Sequence, residues 1–266
     1  MHHRRFGQNT ENNVLLDQRR DEILELVERK GFASLKELAD AAGVSESTVR
    51  RDLEHLETVG QVRRTRGGAS YVGESLTGFE ERRFRASEEK RRVGRMAAAL
   101  VENSETIILD GGTTTLELAK NLSGKSLQVV TNSLPILQHL VAVPDVELIF
   151  LGGYVYPKTG VALGELTVAA LKQIHARRLI MSVGGITSEG LFNSNSLLAE
   201  TERQMMASAD EVIVVTDSSK LGHSELAHLC PLTDVDRLVV DRQISEEWQE
   251  RLSQAGVEVI VADESV

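Results

Sequence analysis

A chain of 266 residues is long for one ordinary domain and points to two. Apolar residues at 41% and charged residues at 26% describe a globular protein, and with aromatics at 4% its cores must be built from Leu, Val, Ile and Ala. The single cysteine, Cys230, excludes an intramolecular disulfide and a multi-cysteine zinc site. No apolar run approaches the roughly 20 residues that cross a bilayer, and the start Met1-His2-His3-Arg4-Arg5-Phe6 lacks a secretory apolar stretch. The expectation is a cytoplasmic protein with no membrane partner, metal or cofactor. Net charge is −10, unevenly spread: residues 1–70 carry 12 basic and 12 acidic side chains, and the remainder carries 18 against 28. That asymmetry suits a chain whose front end meets a polyanion.

Residues 1–15 are polar and Asn-rich and read as a flexible arm. From Leu16 a helical period places Ile23, Leu24 and Val27 on one face and ends at Gly31. Ser34 and Glu37 form a capping-box pattern that opens a second helix, which buries Leu35, Leu38, Ala39 and Ala42 before Gly43. A third helix takes Ser45 as N-cap and repeats Val49, Leu53, Leu56 and Val59 on one face. Two short helices around a tight turn, with small Ala39, Gly43 and inward Val49, meet the needs of a helix-turn-helix. Ser47, Thr48, Arg50, Arg51 and Glu54 then fall near the exposed start of the third helix, where hydroxyls and guanidinium groups meet phosphates and base edges. Arg63, Arg64 and Arg66 follow as a basic wing. Residues 16–70 are therefore expected to bind double-stranded DNA, against the plainer alternative of a helical dimerisation unit with solvated arginines.

Residues 71–86 lack pattern and read as a linker, with Arg82, Arg83 and Arg85 as candidate transmitters. From residue 87 helices expected near 88–102, 114–122, 134–141, 165–175, 196–209 and 245–255 alternate with short β-branched runs. Those runs sit at 106–109, 127–130, 146–150, 178–181, 212–215, 238–240 and 257–260. Nearly continuous apolar strands between helices predict a doubly wound, mostly parallel α/β domain over residues 87–266.

One strand runs into Asp110-Gly111-Gly112-Thr113-Thr114-Thr115 and a helix, a turn that suits an anion because backbone N–H groups and threonine hydroxyls point outward. It matches neither the dinucleotide G-x-G-x-x-G nor the P-loop pattern. The structural alternative is a capping box between Thr114 and Glu117. Other strand ends carry Thr131-Asn132-Ser133, Gly152-Gly153, Gly184-Gly185 and Asp217-Ser218-Ser219-Lys220, and in a parallel sheet these converge on one edge. Lys220 supplies a positive charge there, and Asp110 an acceptor for a sugar hydroxyl. No catalytic constellation stands out among the histidines, and Cys230 beside Pro231 reads as a packed thiol.

The stretch Ser47-Thr48-Val49-Arg50-Arg51-Asp52-Leu53-Glu54-His55-Leu56 with Thr65-Arg66-Gly67-Gly68-Ala69 closely resembles the DNA-binding signature of the DeoR family of bacterial transcriptional regulators. Arg66 stands where that family commonly has histidine. The likeness extends through Asp110 to Thr114, Val130 to Ser133, Leu151 to Gly153 and Asp217 to Gly222, covering about residues 19–261. It implies a sensor domain similar to ribose-5-phosphate isomerase and a phosphorylated sugar as effector. Carried over, Gly112, Thr113 and Thr114 hold the phosphate, with Thr131, Asn132, Ser133 and Lys220 lining the site; the strand-end reading adds Asp110, Gly153 and Gly185. The protein implied is a repressor of carbohydrate genes acting as a homo-oligomer, dimer or tetramer, on operator DNA. Arg177 departs from the family, where an acidic residue often precedes the strand. Two other readings compete: a sugar-phosphate isomerase or deaminase with a DNA-binding appendage, and a ligand-free structural nucleic-acid-binding protein.

Overall fold

The computed structural model describes residues 19–24, 26–27, 32–58, 62–65, 67–71 and 79–263. The arm read over residues 1–15, Val59 and Arg66 lie outside them, as does the side chain of Arg63. The chain divides into two compact units, Met1–Thr77 and Gly78–Val266.

The first unit holds helix α1 (residues 19–24 and 26–27), strand β1 (Phe32–Ser34), helices α2 (Leu35–Ala42) and α3 (Glu46–Thr58), and strands β2 (Val62–Thr65) and β3 (Gly68–Tyr71). Its core is the helical stripe read from the sequence: Ile23, Leu24, Val27, Leu35, Leu38, Ala39, Val49, Leu53 and Leu56, joined by Ala33, Val62 and Ala69. Both halves of the capping box form, Ser34 N donating to Glu37 Oε2 at 2.8 Å and Glu37 N to Ser34 Oγ at 3.3 Å. Gly43 ends α2 at φ 63°, a left-handed conformation that a side chain would strain. The basic stretch is more than a glycine turn. β1, β3 and β2 pair antiparallel in that order, and a Cβ on Gly68 would lie 2.0 Å from Ala33 O. These strands are too short and polar for periodicity to reveal.

The second unit opens with helix α4 (Phe79–Phe84), inside the segment read as a linker. It folds because Phe79 is buried in the apolar core and its N–H donates to Lys158 O at 2.9 Å. Then follow α5 (Ser87–Ala99), β4 (Thr106–Leu109), α6 (Thr113–Ala119), β5 (Leu127–Thr131), α7 (Leu134–Leu140), β6 (Val146–Phe150), β7 (Tyr154–Tyr156), β8 (Val161–Leu163), α8 (Glu165–Leu171) and β9 (Ala176–Met181). The chain continues through β10 (Gly185–Thr187), β11 (Gly190–Asn193), α9 (Ser196–Ala207), β12 (Ala209–Thr216), β13 (Ala227–Cys230), β14 (Arg237–Asp241), α10 (Glu246–Gln254) and β15 (Glu258–Ala262).

Seven strands form one sheet in the order β15-β14-β12-β9-β4-β5-β6, and every neighbouring pair is parallel. Alternation along the strands feeds two apolar layers. Ile107, Leu109, Val129, Ile180, Ile213 and Val239 pack under α5, α6 and α7. Ile108, Val130, Leu179, Met181, Val214 and Val240 pack under α8, α9 and α10. The result is the doubly wound α/β sheet expected from the sequence. The pairs β7–β8 and β10–β11–β13 are small antiparallel additions built over the loops.

At the N-terminal edge of the sheet a row of charges crosses five strands. Arg178 Nε donates to Glu211 Oε2 at 2.6 Å and its Nη1 to Glu105 Oε1 at 2.7 Å; Arg237 Nε lies 3.2 Å from Glu211 Oε1 and 2.8 Å from Glu258 Oε2. Burial opposes the Arg178 charge, but Glu211 and Glu105 outweigh it and raise its pKa. Arg177, next to it, is exposed and lies 4.0 Å from Asp210. It stands at the start of β9, on the edge away from the strand ends that carry the candidate site.

Candidate functional site

All seven strands being parallel, their carboxyl ends share one edge. Chain order reverses between β4 and β9, because β5 and β6 extend to one side and β9, β12, β14 and β15 to the other. Open α/β sheets bind ligands at such a reversal. The Asp110-Gly111-Gly112 turn lies there. Asp110 N donates to Ile180 O at 3.1 Å, and a Cβ on Gly112 would sit 1.9 Å from Ser182 Oγ, so only glycine lets the turn approach β9.

Gly112 is the N-cap of α6, and Thr115 Oγ1 accepts from Gly112 N at 2.7 Å. The cap therefore belongs to Gly112 and Thr115; the alternative box between Thr114 and Glu117 does not form, and Glu117 pairs with Lys120. Thr113 and Thr114 are both buried at the turn.

The neighbouring strand end is buried as well. Thr131 Oγ1 donates to Leu109 O at 2.7 Å and accepts from Ser133 N at 3.1 Å, while Ser133 Oγ accepts from Ile136 N at 3.4 Å to cap α7. Asn132 Nδ2 donates to Ala162 O at 2.9 Å, but its Oδ1 is buried without a partner. Gly153 and Gly185 admit close chain contacts: a Cβ would lie 2.2 Å from Thr167 Oγ1 at the first and 2.3 Å from His223 O at the second. Lys220 is half-buried in the turn after β12, whose Gly222 N–H donates to Ile186 O at 2.8 Å.

Several groups absent from the sequence reading stand at this edge. Glu202 on α9 is buried, with Oε1 accepting from Asn193 Nδ2 at 2.6 Å and Oε2 unpartnered. Asp110 Oδ1 is likewise buried without a hydrogen bond, as are Thr159 Oγ1 and the Arg82 Nε and Nη2. Burial pushes the Asp110 carboxyl up to about 6, against hydrogen bonds from the Gly111 and Ser182 backbone and the Arg82 charge. Burial first, then the Asp110 charge, hold Glu202 well above the ordinary carboxylate range. Lys90 Nζ lies 3.9 Å from Asp217 Oδ2, both side chains being buried, and donates to Arg82 O at 2.8 Å.

In the first unit, α3 presents Ser45, Ser47, Arg50 and Arg51 to solvent, with Thr48 half-buried. Ser45 Oγ accepts from Thr48 N at 3.3 Å, and lies 2.8 Å from Ser47 Oγ and 3.0 Å from Thr48 Oγ1. Arg50 is 3.9 Å from Glu46, and Arg51 has no ion pair among the described residues. Arg64 is engaged: its Nη1 lies 2.9 Å from Glu54 Oε1 and its backbone N donates to Glu57 Oε1 at 2.9 Å. Asp52 is buried and receives Arg19 Nε at 2.8 Å and Arg20 Nε at 3.3 Å, fixing α1 to α3.

Residues 19–75 match the DeoR-like helix-turn-helix domain and residues 85–242 the DeoR C terminal sensor domain. The chain belongs to the DeoR family.

Among curated DeoR-like relatives, the HTH-type transcriptional regulator GolR of Listeria innocua is 32% identical over 92% of this chain and 98% of its own. The lactose phosphotransferase system repressor of Streptococcus mutans is 32% identical over 88% and 95%. The glycerol-3-phosphate regulon repressor of Escherichia coli K12 is 32% identical over 84% and 90%. These relatives are named as regulators and repressors, and the DeoR-family chain described here is a helix-turn-helix transcriptional regulator with a sensor domain. Among solved structures, ribose 5-phosphate isomerase A from Methanocaldococcus jannaschii aligns with 51% of this chain and 54% of its own. Identity is 15% and the TM-score 0.38, a likeness too slight to bear on function. No helix among the described residues is long and apolar enough to cross a membrane.

Proposed function

We propose that this regulator represses carbohydrate genes and releases its operator when a phosphorylated sugar occupies the edge of the sheet between β4 and β9. The observation that carries the reading is the set of buried polar atoms there without a hydrogen bond: Asp110 Oδ1, Asn132 Oδ1, Glu202 Oε2 and Arg82 Nε and Nη2. Buried polar groups are normally satisfied, because each left unpaired costs about 1–3 kcal/mol. A cluster of them beside a glycine turn fits a polar ligand. In this reading Gly112, Thr113 and Thr114 take the phosphate, with Lys220 as a counter-charge, while Asp110 and Asn132 accept from hydroxyls. Relatives named for lactose and glycerol-3-phosphate support the ligand class.

On the DNA side, Ser45, Ser47, Thr48, Arg50 and Arg51 enter the major groove, with Arg63, Arg64 and Arg66 along the backbone. A homo-oligomer, dimer or tetramer, places two such helices on a repeated or palindromic operator. Ligand relieves repression only through unequal affinity for two conformers; moving a 1:99 population to 99:1 takes about 5.5 kcal/mol. Thermal shift and operator release, measured together over a panel of phosphorylated sugars, test the reading. A native-state ligand must raise the melting temperature, and a panel that moves neither quantity refutes it.

A further inference from the structure

Glu202 is an expensive residue to keep where it is. It lies on α9 between Leu198 and Met205, which are 3% and 0% exposed, and is itself 1% exposed. Its partner on one oxygen is Asn193 at the end of β11, at 2.6 Å; its other oxygen has none. A buried carboxyl that served the fold would use both oxygens, or give way to an apolar side chain of similar volume. The strand ends that carry the candidate site have the same imbalance. Asp110 Oδ1 and Asn132 Oδ1 are acceptors without donors, and Asn132 follows Thr131, which pairs in register with Leu109 just before Asp110. Thr159 adds a buried hydroxyl with no partner. Three carboxyl or amide oxygens here lack a donor, so the complement carries O–H groups, while the Arg82 Nε and Nη2 are left for an acceptor.

We propose that Glu202, held by Asn193 at the end of β11, is a specificity residue of the effector site, reading the hydroxyls of a sugar phosphate. This rests on the phosphorylated-sugar reading above and assigns the part of that site that discriminates one sugar from another. The phosphate is held elsewhere, so Glu202 contributes to the choice of sugar and not to retention of the anion. Asn193 is a positioning residue: it donates to Oε1 and leaves Oε2 for the ligand. A site built around hydrogen bonds to ligand hydroxyls rejects analogues that lack them, because its own buried groups are then left unpaired.

The test uses the full chain, with melting temperature and calorimetric affinity as readouts. The probes are D-ribose 5-phosphate, D-glucose 6-phosphate, their 2-deoxy analogues and inorganic phosphate. Glu202→Met should melt at or above the wild-type temperature without ligand, since it removes a desolvated carboxyl. It should bind whichever sugar phosphate the wild type prefers at least about ten-fold more weakly, one charged hydrogen bond's worth. Affinity for inorganic phosphate should stay within about two-fold. Glu202→Gln, which keeps the Asn193 contact, should fall between the two, and Asn193→Ala should lose selectivity among sugars while retaining inorganic phosphate. Wild-type affinity and selectivity in Glu202→Met would overturn the assignment alone. A Glu202→Met protein that melts lower yet binds normally would also overturn it, by showing a purely structural role. A wild type unmoved by every probe would take down both the assignment and the reading beneath it.

Discussion

Arg64 Nη1 stands 2.9 Å from Glu54 Oε1, so the strand that carries the basic wing is tied to the helix that presents Arg50 and Arg51. Glu57 adds a second tie through the Arg64 backbone N–H. The wing arginine is thus already matched by carboxylates, while Arg51 has no ion pair among the described residues. Arg51→Ala should weaken operator binding at least about ten-fold and reduce the salt slope by about one counterion, with the fold intact. Arg64→Ala should cost less at low salt, because it also removes the restraint on Glu54 and Glu57. Gel shifts over a salt series separate the two; equal losses would show that the wing arginine is fully spent on DNA.

Asp52 is the buried anchor of the first unit, taking two arginines from α1. Hydrogen bonding to Asp52 raises the pKa of Arg19 despite partial burial. Asp52→Ala leaves those cations without an anion and the site with a hole. Breaking a buried pair costs about 3–5 kcal/mol, less here because the arginines are about a fifth exposed, so about 2–3 kcal/mol is expected. Urea unfolding followed by far-ultraviolet circular dichroism should show an earlier transition, accompanied by lost operator binding.

Asp110 makes stability depend on pH. Its carboxyl is raised from 3.8 to about 6 by burial, so the protonated form favours the fold. That contribution is complete below about pH 4 and disappears as pH rises through about 6. Asp110→Asn cannot pay this penalty, so its stability relative to wild type should climb between those values and then level off. The gain is on the order of 2–3 kcal/mol at about 1.36 kcal/mol per pKa unit. Melting curves of both proteins from pH 4 to 8 give the answer; parallel curves would mean that burial does not govern this carboxyl.

Arg177 and Arg178 are adjacent in sequence and opposite in consequence. Arg178→Ala should destabilise the sensor unit by about 3–5 kcal/mol, because Glu105 loses its cation and Glu211 keeps only Arg237. Arg177→Ala should change melting temperature and ligand affinity little, since the side chain is exposed and stands at the other edge. A change in sugar-phosphate affinity in the Arg177 variant would contradict that placement.

The helices and the seven parallel strands were legible because their apolar periods are long and regular. The wing was legible as a basic stretch, but its strand pairing with β1 and the small antiparallel pairs were not, being three or four residues of mixed polarity whose pairing is set by distant chain. The turn from Asp110 to Thr115 was legible as a strand end running into a helix, but its cap fell to Gly112 and Thr115, which no side-chain pattern at a glycine reveals. Glu202 was overlooked because Ala199-Glu200-Thr201-Glu202-Arg203 reads as a solvated helix face. The signal was present in the spacing: Leu198, Glu202 and Met205 share a stripe, and all three are buried. Lys90 repeats the lesson with Val93 and Ala97 on α5.

The row from Glu105 through Arg178, Glu211 and Arg237 to Glu258 works as a baseplate. Bolted across five neighbouring strands, it resists sliding of one strand past the next. A ligand at the proposed site on the opposite rim would therefore meet a floor that yields little.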